Sequence, residues 1–185
     1  SWAIAMFERI FEISNQSAGA RYGSGALLAG MVGVLLMGVL CDKFTTKYPR
    51  APYSLSAGGL FLFTLLAIGM CFSPNVNIAT ALVYPASIVG AGWVVALQAA
   101  LQDLLPAKLR ATGTSIWAFA LTFAGLVLGV LVVGWINDAL ALQYGGEAIR
   151  YSMALTLLAG IPASLCIYRA GKTADFDKAL LAIEY

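Results

Sequence analysis

Four stretches of this chain run free of Asp, Glu, Lys and Arg for at least the length a bilayer demands. They constrain the fold more than any other feature of the sequence. They extend over residues 22–41, 51–77, 78–102 and 111–137, and a fifth, 151–168, is shorter but adequate. A helix crosses the hydrocarbon of a membrane in about 20 apolar residues, each advancing about 1.5 Å. Only 11% of the residues are charged and 61% are hydrophobic, whereas soluble domains carry about 25% charged residues. A soluble protein could not bury five such segments in 185 residues. The fold class is therefore all-α, a polytopic transmembrane helical bundle.

The helices are expected near 22–41, 52–73, 78–102, 111–135 and 150–168, with 22–170 as the transmembrane bundle. Residues 1–21 read as the outer end of a truncated helix followed by an external loop. In that segment Trp2, Ile4, Met6, Phe7, Ile10, Phe11 and Ile13 are interrupted by Glu8, Arg9 and Glu12. The first residue is serine and no basic region precedes an apolar run, so the chain is expected to begin inside a longer protein. Residues 171–185 read as a cytoplasmic tail. Its run DFDKALLAIEY has an aspartate at a plausible helix start and an apolar face of Phe176, Leu180 and Leu181. Such a segment either lies along the membrane surface or frays.

Charge sets the orientation. The three connections on one side carry Lys43, Lys47 and Arg50, then Lys108 and Arg110, then Arg169, Lys172 and Lys178. That is eight of the eleven basic residues. The other side holds Arg9, Arg21 and Arg150, offset by Glu8, Glu12, Asp138 and Glu147. Basic connections stay in the cytoplasm, so the carboxy terminus is expected inside and residues 1–21 outside.

Function classes fall away on composition. Histidine is absent, which removes the usual metal ligand and proton shuttle. Cys41, Cys71 and Cys166 are far apart and odd in number, a pattern of free thiols. The net charge of +2 gives no reason to expect nucleic-acid binding. No nucleophile, acid–base pair or metal cluster is assembled, so the chain is not expected to be an enzyme or to carry a cofactor or metal. If transport is coupled to protons, the titrating carboxylate is Glu8 or Glu12, or lies outside this chain.

Helix faces give the next level. Projected at 100° per residue, Gly23, Ala26, Gly30, Gly33 and Met37 share one face of the first span. Ser115, Ala118, Thr122, Gly125 and Gly129 share one face of the fourth. Small faces let helices approach closely in lipid. Gly125 and Gly129 form a GxxxG pair that suits either intramolecular packing or a homodimer contact. In the third span Tyr84, Ser87, Ala91, Gln98 and Gln102 form a polar stripe, with Trp93 opposite. Polar groups in hydrocarbon must face protein or water. The stripe therefore either lines a cavity or makes polar contacts between helices. Pro85 and Pro162 are placed to bend their helices. The second and fifth spans, bulky and aliphatic on most sides, read as peripheral and lipid-facing.

The first cytoplasmic connection reads GVLCDKFTTKYPR. It resembles the G-x-L-x-D-R/K-x-G-R/K-R/K loop of the major facilitator superfamily (MFS). Gly38, Leu40, Asp42, Lys43 and Lys47 fall on that pattern, while Thr45 and Thr46 replace a glycine and a basic residue. LLPAKLRATGTSI, with Pro106 and Arg110, is similar to the family's loop between helices 10 and 11. GVLVVGWINDAL followed by YGGEAIRYSMAL is similar to the end of helix 11 and the start of helix 12. Within the superfamily the resemblance is closest to bacterial members related to the Spinster-like group. It covers nearly the whole chain and implies an MFS-type half, with five full transmembrane helices plus the end of a sixth.

What the resemblance implies is a secondary active transporter of a small organic solute, a symporter or antiporter in a bacterial inner membrane, working by alternating access. Its partners would be the lipid bilayer, a homologous amino-terminal six-helix bundle and a small-molecule substrate. Gly30, Gly33, Gly125 and Gly129 would lie at the interface with that bundle, and Tyr84, Ser87, Ala91 and Gln98 would line the cavity. Asp42 and Arg110 would latch the inner gate or, alternatively, only mark the membrane boundary. A non-transport membrane subunit or receptor-like protein could use the same packing.

The charge pattern makes a direct prediction. A cysteine placed at Asn75 reacts with an impermeant reagent from outside, and cysteines at Thr46 or Ala107 do not. The reverse pattern contradicts the assigned orientation.

Overall fold

The computed structural model describes residues 2–184, the side chains of Asp175 and of residues 177–184 excepted. Among the described residues the regular structure is entirely helical: α1 (Trp2–Phe11), α2 (Asn15–Thr45), α3 (Ala51–Cys71), α4 (Val76–Leu104), α5 (Arg110–Thr122), α6 (Gly129–Tyr144), α7 (Ala148–Leu158) and α8 (Gly160–Glu184). A π-helical segment, Phe123–Leu128, joins α5 to α6 without a break, and a 3₁₀ turn, Gly145–Glu147, separates α6 from α7. Among the described residues four helical runs are long and apolar enough to cross a membrane: Asn15–Thr45, Ala51–Cys71, Val76–Leu104 and Arg110–Ala174. The last is 65 residues long and contains the reversal at Gly145. The protein is an all-α helical membrane bundle.

Local chemistry explains several boundaries. α2 starts before its apolar run because the Ser14 hydroxyl accepts the Ser17 N–H at 3.3 Å, satisfying a donor that a helix start leaves free. Asn75 does the same for α4, accepting the Ile78 N–H at 3.0 Å. α4 then continues through Pro85. Gly145 has φ +52°, a conformation that side chains resist, and there the chain turns back to pack α7 on α6. The expected fifth helix is split: α7 ends at Leu158 and α8 begins at Gly160. Pro162 has no N–H to offer the Leu158 carbonyl and its ring crowds that oxygen, so the helix breaks there. α8 runs on to Glu184, through the region expected as a separate tail. Phe176 is exposed, and the faces of Leu180 and Leu181 lie outside the described side chains.

α4 is the hub, with its most extensive contacts to α2 on one side and α3 on the other. The α2 contact follows Gly25, Ala29 and Gly33, buried at i, i+4 spacing. A Cβ on Gly33 would collide with the Ile88 carbonyl oxygen, and one on Gly25 would stand 3.0 Å from Val83 Cγ1. Gly23, by contrast, has no atom within 4 Å of such a Cβ. The packing face thus shares Gly30, Gly33 and Met37 with the small face read from sequence but is rotated away from Gly23.

α3 departs further from its expected peripheral role. Phe61, Leu62 and Leu65 are exposed, but the opposite face, including Ser56, Ala57, Gly59, Thr64 and Ala67, is buried against α4 and α8. Ser56 donates to the Trp93 carbonyl at 2.9 Å, and Gly160 of α8 lies against Thr64. The end of the bundle that carries α1 closes over a core of Met6, Phe7, Ala18, Met70, Cys71, Ala79, Val83 and Ile149. Arg150 ties that end together. Its Nη1 donates to the Ser73 carbonyl at 3.4 Å, its Nε lies 3.3 Å from Glu147 Oε2, and its guanidinium sits 5.8 Å from the Phe11 ring.

The α2–α4 contact fixes an expectation for substitutions. Gly33→Ala places a methyl against a backbone oxygen that cannot yield, and should cost about 1–3 kcal/mol. Gly23→Ala should be neutral or stabilising by up to about 1 kcal/mol through helix propensity. Thermal unfolding in detergent measures both, and equal effects at the two positions would contradict the observed packing face.

Candidate functional site

The polar stripe of α4 runs beside α2. Tyr84 packs near Gly25, with its ring carbons 3.6 Å from where a Cβ would stand, and Ala91 Cβ is 3.9 Å from the same point on Gly30. Trp93 faces the other way, its Cβ 3.0 Å from the corresponding point on Gly59 of α3. Tyr84 is 42% exposed, and Ser87, Ala91 and Gln98 are partly exposed. Among the described residues no side-chain hydrogen bond is made by Tyr84, Ser87 or Gln98, whereas Thr80, one turn earlier, is satisfied by the Val76 carbonyl at 2.7 Å. An unsatisfied polar group in hydrocarbon costs several kcal/mol. Those three side chains therefore need water, solute or another protein surface.

The residues of the two loop motifs are dispersed. Gly38 is unpacked, with nothing within 4 Å of a Cβ there. Asp42 and Lys43 are exposed at the end of α2, and Thr46 caps that end by donating to the Lys43 carbonyl at 2.8 Å. Lys47 sits over the Tyr48 ring at 5.5 Å. Arg110 donates from Nε to the Leu105 carbonyl at 3.2 Å, bracing its own loop. The structure does not bring Asp42 and Arg110 together into an ion pair.

Gly125 and Gly129 flank the π-helical segment. Gly125 has nothing within 4 Å of a Cβ, and Gly129 would meet the Ala124 carbonyl oxygen at 3.3 Å. Both open onto an apolar groove of about 350 Å³ shared with Trp2, Val133, Met153 and Leu157. α5, on the amino-terminal side of this segment, has no buried residue. Glu8 is an exposed residue of α1, and Glu12 lies in the turn between α1 and α2. Glu8 Oε2 accepts from Asn15 Nδ2 at 3.1 Å, and Glu12 adopts φ +51°.

Sequence reasoning missed the π-helical segment, the Ser56 bond to α4 and the Arg150 tie. The first left no signal beyond the glycines. The second was signalled by Ser56 and Thr64 in a helix read as lipid-facing. The third was signalled by an arginine beside an apolar run.

Comparison with known proteins adds one similarity. The chain is 27% identical over 156 residues to an "MFS-type efflux pump" of Mycolicibacterium smegmatis, covering 84% of this chain and 36% of that protein. The chain thus spans about a third of that relative's length. No family model matches, and no solved structure matches. The similarity is to a membrane transport protein, in keeping with the apolar helices.

Proposed function

We propose that this chain is the carboxy-terminal half of a secondary transporter of the major facilitator superfamily, moving a small organic solute by alternating access. Support comes from the MFS-type relative, from the loop resemblances at Asp42 and Arg110, and from the sidedness of the basic connections. The relative's description as an efflux pump favours export across a bacterial inner membrane; it bears on the superfamily and not on the Spinster-like subgroup.

The observation that carries the mechanism is the set of polar side chains on α4 without hydrogen-bond partners. On this reading Tyr84, Ser87 and Gln98 border the solute path, with Ala91 leaving room beside α2. Gly125 and Gly129, unpacked within this chain, meet the amino-terminal bundle. Asp42 and Arg110 separate in the state described here and approach when the inner gate closes. Glu8 and Glu12, at the outer corner, serve coupling only if that corner opens to the path.

Cysteine substitution tests the path. In the full-length carrier with its native thiols replaced, cysteines at Tyr84, Ser87 and Gln98 react with a membrane-impermeant thiol reagent. Cysteines at Trp93 and Leu97 stay protected. Protection along all of α4 would mean that the stripe is packing and would overturn the assignment.

A further inference from the structure

α2 and α3 touch each other far less than either touches α4, and the gap between them is a cleft. Its deeper part, about 300 Å³, is walled by Leu36, Leu40, Gly58 and Leu62 and floored by Ile88 and Val89 of α4. Its outer part, about 370 Å³, lies between Phe44, Tyr48 and Leu55, with Arg50 at the rim. Ser54 and Leu55 line both parts, so the two form one slot. From Arg50 to Leu62 the slot follows α3 for about 18 Å. One leaflet contributes about 15 Å of hydrocarbon, so the slot reaches from the interface to the midplane.

The two ends differ in chemistry. The deep end is aliphatic and holds a gap at Gly58, where no atom lies within 4 Å of a Cβ. The mouth is basic and aromatic. Tyr48 is 55% exposed and Phe44 40% exposed, and the turn is held by Tyr48 N–H to the Phe44 carbonyl at 2.8 Å. The Lys47 ammonium lies over Tyr48. An occupant must therefore be a long apolar chain carrying an anion at one end, at interfacial depth. We propose that this cleft binds one acyl chain of an anionic glycerophospholipid, its phosphate held at the mouth by Lys47. Each basic residue near a membrane surface is worth roughly a five-fold preference for an anionic head group. Phe44 and Tyr48 supply the aromatic rim common at this depth. The site depends on the chain spanning a bilayer and not on its transporting anything.

Spin-labelled phosphatidylglycerol and phosphatidylcholine, each with the nitroxide deep in one tail, test this with the full-length carrier in vesicles. The wild type immobilises phosphatidylglycerol in preference to phosphatidylcholine, and Lys47→Gln cuts that preference roughly five-fold. Gly58→Leu fills the slot and removes the immobilised component for both lipids, with the unfolding temperature unchanged. Leu36→Trp does the same from the α2 wall and serves if Gly58→Leu fails to fold. Equal immobilisation of the two lipids by the wild type overturns the proposal. So does a charge effect that persists undiminished in the filled-cleft variants, which would mean only surface attraction of head groups.

Discussion

The bundle depends on how closely the backbone of α2 lies on α4. At Gly33 nothing larger than hydrogen fits against the Ile88 carbonyl oxygen, and Met37 of α2 reaches over Gly92 of α4. In lipid the usual gain from hiding apolar surface is absent, so van der Waals contact between close-set helices has to supply the attraction. A ladder of Gly25, Ala29 and Gly33 every fourth residue provides that contact for two turns and more. With α2 so placed, α4 has one side left for α3, and the Ser56 bond to the Trp93 carbonyl anchors it.

Backbone irregularities place the remaining helices. Pro162 ends α7 at Leu158 and restarts the chain as α8, whose Gly160 and Gly171 settle against Thr64 and Tyr53 of α3. The positive φ of Gly145 folds α7 back on α6. What these contacts leave open is the first part of the fourth long rod, where α5 has no buried residue. Ile116, Phe119 and Leu126 are each more than 60% exposed on that rod, a surface suited to lipid or to the amino-terminal bundle proposed above.

Membrane character was legible in the sequence because charge-free length is a one-dimensional property. Helix ends were less so. α2 outruns its apolar stretch at both ends because the Ser14 cap and the polar turns beyond it cost nothing outside hydrocarbon. The packing face was only partly legible. α2 carries small residues on two adjoining faces, 23–26–30–33 and 25–29–33, and projection cannot tell which one meets a neighbour. α3 misled for the converse reason: Phe61, Leu62 and Leu65 dominate its composition, while the buried contacts come from its small residues. For the α4 stripe, the sequence left open cavity or packing. The structure sets Tyr84 and Ala91 beside α2 and leaves Tyr84, Ser87 and Gln98 without hydrogen bonds.

The functional reading therefore hangs on the α2–α4 seam, since the stripe borders it and the cleft floor continues it. A disulfide requires a Cβ–Cβ separation of about 3.5–4.5 Å, and the Gly30 and Ala91 positions offer 3.9 Å. With the native cysteines replaced, Gly30→Cys combined with Ala91→Cys should cross-link on mild oxidation in the membrane. Gly23→Cys combined with Ala91→Cys should not. Cross-linking of both pairs, or of the second alone, would contradict the seam and the placement of α4's polar face beside it.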